Sequence, residues 1–157
     1  MLPGVGEKAP EFTLIDEKRK ARSLKEFQGK KTVLAFFPGA FTSVCTKELC
    51  KFRDSFKEFQ KLDAEIVGIS VDPPFSNKGY SETHGFTFPL LSDYSRDVIR
   101  TYGIVHEDFL GLKGYDAAKR AVFILDREGS VAYSWVTEDP SIEPNYQEVI
   151  RALESIP

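Results

Sequence analysis

An α/β fold, with a mixed central sheet and helices on both faces, follows from three features of the chain. Two near-continuous apolar runs, residues 32–37 and 66–71, have the composition of strands buried on both faces. Amphipathic segments with apolar residues every three or four positions separate and follow them. Two later apolar runs, residues 121–125 and 131–136, flank Asp126-Arg127-Glu128-Gly129, a hairpin turn signal. At 157 residues the chain suits one domain, large enough to bury a core without disulfides or metal.

Each element has a local cause. Residues 11–16 alternate apolar and polar side chains and predict a short strand. Ser23-Leu24-Lys25-Glu26 has the form of a capping box and starts a short helix that Gly29 ends. Pro38-Gly39 stops the strand over residues 32–37. A helix follows, reaching about residue 62, with Leu49, Phe52, Phe56 and Phe59 on one apolar stripe. Asp72-Pro73-Pro74 closes the strand over 66–71. Short helices are expected over 76–84, ending at Gly85, and over 96–102, ending at Gly103. Tyr146, Val149, Ile150 and Leu153 mark a C-terminal helix. The order strand–helix–strand–helix–strand, then hairpin, then helix, is a thioredoxin-like α/β layout with one mixed sheet.

Composition narrows the function. An apolar share of 41% and a charged share of 29% are ordinary for a globular protein. Thirteen phenylalanines against one tryptophan and one methionine point to a core of rigid rings. A formal charge of −3 offers no electrostatic footprint for nucleic acid or an anionic membrane. The basic runs Lys18-Arg19-Lys20 and Lys30-Lys31 are flanked by acids and read as solvated surface. The first residues lack the apolar run of a signal sequence, and no segment is long enough to span a bilayer. Two cysteines make no disulfide framework, so the expected setting is a reducing cytoplasm.

The cysteines carry the chemistry. Cys45 follows an apolar strand and a Pro-Gly loop and falls in the first turn of the next helix. There the unpaired backbone N–H groups favour thiolate over thiol, and the thiolate is the nucleophile. Cys45 is four before Leu49 and seven before Phe52, on the buried stripe. Cys50 is three before Arg53 and four before Asp54, on the polar side. On an ideal helix, Cα atoms five residues apart are about 8.6 Å from one another. A disulfide needs less than about 7 Å, so a Cys45–Cys50 bond requires the helix start to unwind. The Thr42 hydroxyl can donate to a thiolate and accept a proton from an incoming hydroxyl. Either cysteine could instead be a small packing residue, an equal alternative for Cys50.

Pro38-x-x-x-Thr42-x-x-Cys45, placed after a buried strand and at a helix start, resembles the peroxiredoxin active-site motif. The resemblance extends through Gly4-x-Gly6-x-x-Ala9-Pro10-x-Phe12 and the late strand Arg120-Ala121-Val122-Phe123-Ile124-Leu125-Asp126, covering nearly the whole chain. It implies a thiol peroxidase without cofactor or metal. Cys45 would be the peroxidatic cysteine, becoming a sulfenic acid. Arg120 would lower its pKa and hold the peroxide, Thr42 would orient the peroxide, and Pro38 would shield the thiolate from water. Glu48 resembles an acid that holds the arginine in place in some branches; on the residues alone it is equally a first-turn helix acid. The Cys45-x-x-x-x-Cys50 spacing is similar to the Q-type branch, the bacterioferritin comigratory proteins, where the second thiol resolves the sulfenic acid. The wording Phe37-Pro38-Gly39-Ala40-Phe41-Thr42 departs from the Q-type Thr-Pro-Gly-Cys-Thr and is more similar to AhpE-like branches. The family further implies a thioredoxin-like dithiol reductant and a monomer or homodimer.

Other readings fall short. Cys45, Cys50, His84 and His106 have zinc-ligand types without zinc spacing. Gly111-Leu112-Lys113-Gly114 is a turn in an exposed insertion rather than a phosphate loop. Without Cys-x-x-Cys, a thioredoxin-type exchanger is not supported. Two alternatives stand beside a two-cysteine peroxidase: a catalytically silent thioredoxin-fold binding module, and a one-cysteine peroxidase with Cys50 structural.

Overall fold

The computed structural model describes residues 2–157. Its strands are β1 (Thr13–Asp16), β2 (Ala21–Ser23), β3 (Lys31–Phe36), β4 (Ala64–Ser70), β5 (Leu90–Ser92), β6 (Val105–His106), β7 (Ala117–Ala118), β8 (Arg120–Leu125) and β9 (Val131–Thr137). The helices are α1 (Ser43–Asp54), α2 (Phe56–Lys61), α3 (Pro74–His84), α4 (Asp97–Thr101) and α5 (Tyr146–Ser155). Seven strands form one mixed sheet in the order β2-β1-β5-β4-β3-β8-β9, and β6 and β7 form a separate two-stranded ribbon.

Period-two alternation along β3 sorts its side chains into two cores. Val33, Ala35 and the following Phe37 pack with Leu49, Phe52 and Phe59 of α1 and α2, Tyr80 of α3, and Val149 and Leu153 of α5. Leu34 and Phe36 face the opposite side, among Phe12, Ile99, Tyr102 and Phe123. A strand buried on both faces must be apolar throughout, which explains the continuous run.

Topology then assembles the site. β3 runs parallel to β4, and β4 parallel to β5, while β8 runs antiparallel to β3 with Phe36 opposite Ala121. The carboxyl end of β3 and the amino end of β8 therefore lie side by side at one end of the sheet's central strands. The loop after Phe36 and the side chain of Arg120 are neighbours for this reason.

The turns behave as their residues require. Gly85 ends α3 in the left-handed region at φ 64°, and Gly129 sits at φ 87° in the β8–β9 hairpin. Asp126 closes that hairpin by accepting from the amides of Glu128 and Ser130 at 3.0 and 2.9 Å.

Two expectations need correction, and several short strands were not anticipated. The segment Leu24–Phe27 is a 3-10 turn, and the Ser23 side chain makes no capping bond. Glu26, which would close a capping box, is instead paired with Arg22. The long helix expected to about residue 62 is two helices. Ser55 breaks the ladder at φ −93°, ψ 7°, its amide shared between the carbonyls of Lys51 and Phe52. The apolar stripe continues across the break, so periodicity alone could not show it. The strands β2, β5, β6 and β7, of two or three residues each, are too short to show a period; β5, wholly buried, joins β4 to β1.

Candidate active site

The strand β3 delivers the chain into a tightly held loop. Pro38 and Gly39 are buried. The Ala40 amide donates to Asp72 Oδ2 at 2.8 Å, tying the loop to the end of β4. Phe41 is held at φ 65°, a left-handed conformation that costs a side-chain-bearing residue about 1 kcal/mol. The Thr42 hydroxyl donates to the Gly39 carbonyl at 2.7 Å, closing the loop rather than capping α1. Such strain persists only where its surroundings over-determine it, and here the loop sets Cys45 two residues into α1.

Arg120 reaches the thiol from across the sheet. Its Nη1 donates to Cys45 Sγ at 3.3 Å and to Glu48 Oε1 at 2.9 Å. Its Nε and Nη2 donate to the Pro140 carbonyl at 3.2 and 2.6 Å, so the guanidinium is held on both edges. Cys45 and Glu48 are 0% exposed and Arg120 is 2% exposed. An arginine buried to this degree is rare without a partner set of this kind. Although it opens β8 beside Lys119, Arg120 is therefore no solvated strand-end cation. Glu48 is likewise no solvated first-turn acid.

The electrostatics oppose one another at the sulfur. Burial pushes the Cys45 thiol above its ordinary value. The Arg120 charge, the nearby Thr42 hydroxyl, the Gly39 backbone and the Arg120 hydrogen bond all pull it down. The thiolate bias expected at the helix start is thereby corrected: burial on the apolar stripe outweighs the donors in this closed arrangement. Burial also pushes Glu48 up to about 7, against the pull of Arg120. Its second oxygen, Oε2, is buried with no hydrogen-bond partner, as suits a carboxyl that holds a proton near neutrality.

Thr42, Cys45, Glu48 and Arg120 thus converge, with Pro38 in the wall of the same loop. Cys50 stands apart. Unlike the sealed Cys45 it is half-buried, and it packs against the core cluster beneath α1 rather than facing open solvent; neither thiol is in a disulfide. Asp72 and the Pro140 carbonyl were not anticipated as part of the site. Asp72 read only as a strand stop, and a backbone carbonyl has no signature in sequence. Among the described residues no group of three or more His, Cys, Asp and Glu converges as a metal site, and no helix is long and apolar enough to cross a membrane.

A sealed thiol beneath a guanidinium, at a helix start on a thioredoxin-like sheet, defines a thiol-based redox enzyme. Residues 5–134 match the AhpC/TSA family. The chain is 36% identical over 151 residues to a chloroplastic peroxiredoxin Q of Populus jackii, covering 96% of this chain and 68% of that protein. It is 40% identical over 126 residues to a chloroplastic peroxiredoxin Q of Gentiana triflora, covering 80% of this chain but only 56% of that protein. The crystal structure of peroxidoxin BcpB from Mycobacterium tuberculosis superposes with a TM-score of 0.87 at 32% identity, covering 99% of both chains. The chain belongs to the AhpC/TSA family, the peroxiredoxins, with Q-type and BcpB-type relatives, and its thiol peroxidase site is built on Cys45.

Proposed function

We propose that this chain reduces hydrogen peroxide and organic hydroperoxides in a two-cysteine cycle closed within one polypeptide. The observation that carries this reading is the Arg120 Nη1 contact with Cys45 Sγ at 3.3 Å, made where both groups are sealed from water. The Cys45 thiolate attacks one peroxide oxygen, the O–O bond breaks, and Cys45 becomes a sulfenic acid. The proton given up by the Cys45 thiol ends on the departing hydroxide or alkoxide, which leaves as water or alcohol. Arg120 stabilises the sulfur anion and the charge developing on the leaving oxygen. Thr42 orients the peroxide through its hydroxyl, Pro38 keeps water from the thiolate, and Glu48 fixes the guanidinium.

Cys50 then attacks the sulfenic sulfur, forming a Cys45–Cys50 disulfide and releasing water. Both cysteines lie on the unbroken helix α1, where ideal geometry keeps their Cα atoms about 8.6 Å apart. The turn between them must open before the bond can form. A thioredoxin-like dithiol donor reduces the disulfide and restores both thiols. The scarcity of cysteines favours a reducing cytoplasm as the compartment. The active unit is a monomer or a homodimer, which sedimentation distinguishes.

Peroxide consumption by wild type and by Cys45→Ser tests the reading. Wild type should turn over with a dithiol donor and the variant should not. Equal rates would favour the silent binding module instead.

A further inference from the structure

The helix that must open is fastened to its neighbour on both sides of Cys50. Thr46, Cys50 and Arg53 stand at positions i, i+4 and i+7, one narrow stripe of α1. Thr46 Oγ1 and the Tyr80 hydroxyl of α3 are hydrogen-bonded at 2.9 Å. Arg53 Nη1 donates to the His84 carbonyl, the last of α3, at 2.6 Å. That carbonyl is among those a helix end leaves unpaired, and the helix dipole favours a cation there. The stripe carrying Cys50 is therefore turned towards α3, while Cys45 faces Arg120 about 140° away around the helix. Burial pushes the Tyr80 phenol well above its ordinary value, so it stays a neutral hydroxyl that can hold this bond. Neither tie touches the Cys45 sulfur.

We propose that the Thr46–Tyr80 and Arg53–His84 ties are a latch that sets how fast Cys50 reaches oxidised Cys45. Arg53 and Tyr80 are positioning residues for the resolving step. This rests on the two-cysteine reading above and adds a rate-setting device to it. While the ties hold, α1 stays wound and the sulfenic acid persists, open to a second peroxide that would carry it to sulfinic acid. Release of either tie lets the turn between Cys45 and Cys50 unwind sooner.

The test follows the resolving step after one equivalent of hydrogen peroxide is mixed with reduced protein. Samples are alkylated at intervals and the Cys45–Cys50 disulfide is quantified by mass spectrometry. Tyr80→Phe keeps the ring and removes the hydroxyl. Arg53→Met keeps most of the stem and removes the guanidinium. Each should raise the first-order rate of disulfide formation about two- to tenfold, the range expected for losing one hydrogen bond. The initial loss of the Cys45 thiol should stay at the wild-type rate. The peroxide excess that converts half of Cys45 to sulfinic acid should rise by the same factor. Thr46→Val removes the first tie from its other end and covers the case of a poorly folded Tyr80→Phe; because Thr46 Oγ1 also donates to the Thr42 carbonyl at 2.7 Å, it should accelerate resolution at least as much as Tyr80→Phe. Wild-type disulfide formation with unchanged or slower resolution in the variants overturns the latch and leaves the two-cysteine cycle standing. No Cys45–Cys50 disulfide in wild type overturns both.

Discussion

Two thiols five residues apart on one helix occupy opposite kinds of environment. Cys45 is sealed, and the groups around it join Glu48, one turn on, to distant parts of the chain: Arg120 of β8 and the Pro140 carbonyl beyond β9 that holds it. Cys50 is half-buried on α1, and two individually modest hydrogen bonds from α1 to α3 flank it. The difference separates two demands that one helix must meet. The first chemical step needs donors fixed in place without water, so its residues are locked by a shared guanidinium. The second needs the same helix to open, so its restraints must be weak enough to release. A helix that met only the first demand would strand the sulfenic acid.

Breaking the Cys45 side of this comparison should have the largest effect. Cys45→Ser should abolish peroxide turnover, followed as peroxide loss in the presence of a dithiol donor. Cys50→Ser comes next: the first peroxide equivalent should be consumed at the wild-type rate, but repeated turnover should fail and Cys45 should accumulate as sulfinic acid. Intact mass after a peroxide titration reads this directly. Arg120→Met keeps bulk and removes the charge. It should slow peroxide reduction about 10- to 100-fold, the scale of one charge-assisted hydrogen bond, and move the Cys45 titration further up in pH. An unchanged thiolate titration would take Arg120 out of the site.

The smallest expected effect concerns Glu48 and stability rather than rate. Its carboxyl is raised from 4.5 to about 7 in the fold, so between those values the native state holds a proton that the unfolded chain has released. The associated stability is fully present below about pH 4.5 and is lost as pH rises through about 7. It is worth up to about 3 kcal/mol. Glu48→Gln should flatten denaturant stability across that window, and a wild-type slope surviving in the variant would place the titrating group elsewhere.

The two environments were unequally legible in the sequence. The first shows in local signals: the apolar run of β3, the Pro-Gly stop, and Thr42 and Cys45 at a helix start. Arg120 could be placed only through the family motif, because its approach depends on β8 pairing antiparallel with β3. The second environment is almost silent in sequence. Helical periodicity put Cys50 on a polar face because Arg53 and Asp54 accompany it. The structure turns that stripe to α3, where Arg53 meets a carbonyl and Thr46 a phenol. The break at Ser55 was hidden by a stripe of phenylalanines that continues through it; the same periodicity put Cys45 on the buried face, but the completeness of the burial that raises its thiol depends on tertiary packing.

The central claim is that peroxide oxidises Cys45 and that Cys50 closes the cycle from the other side of the helix. Peptide mapping of reduced protein after one equivalent of hydrogen peroxide tests it most directly. The account predicts the loss of both free thiols and a single cross-linked peptide pair joining Cys45 to Cys50 within one chain. Cys45 found as sulfenic or sulfinic acid beside a free Cys50 thiol would contradict it.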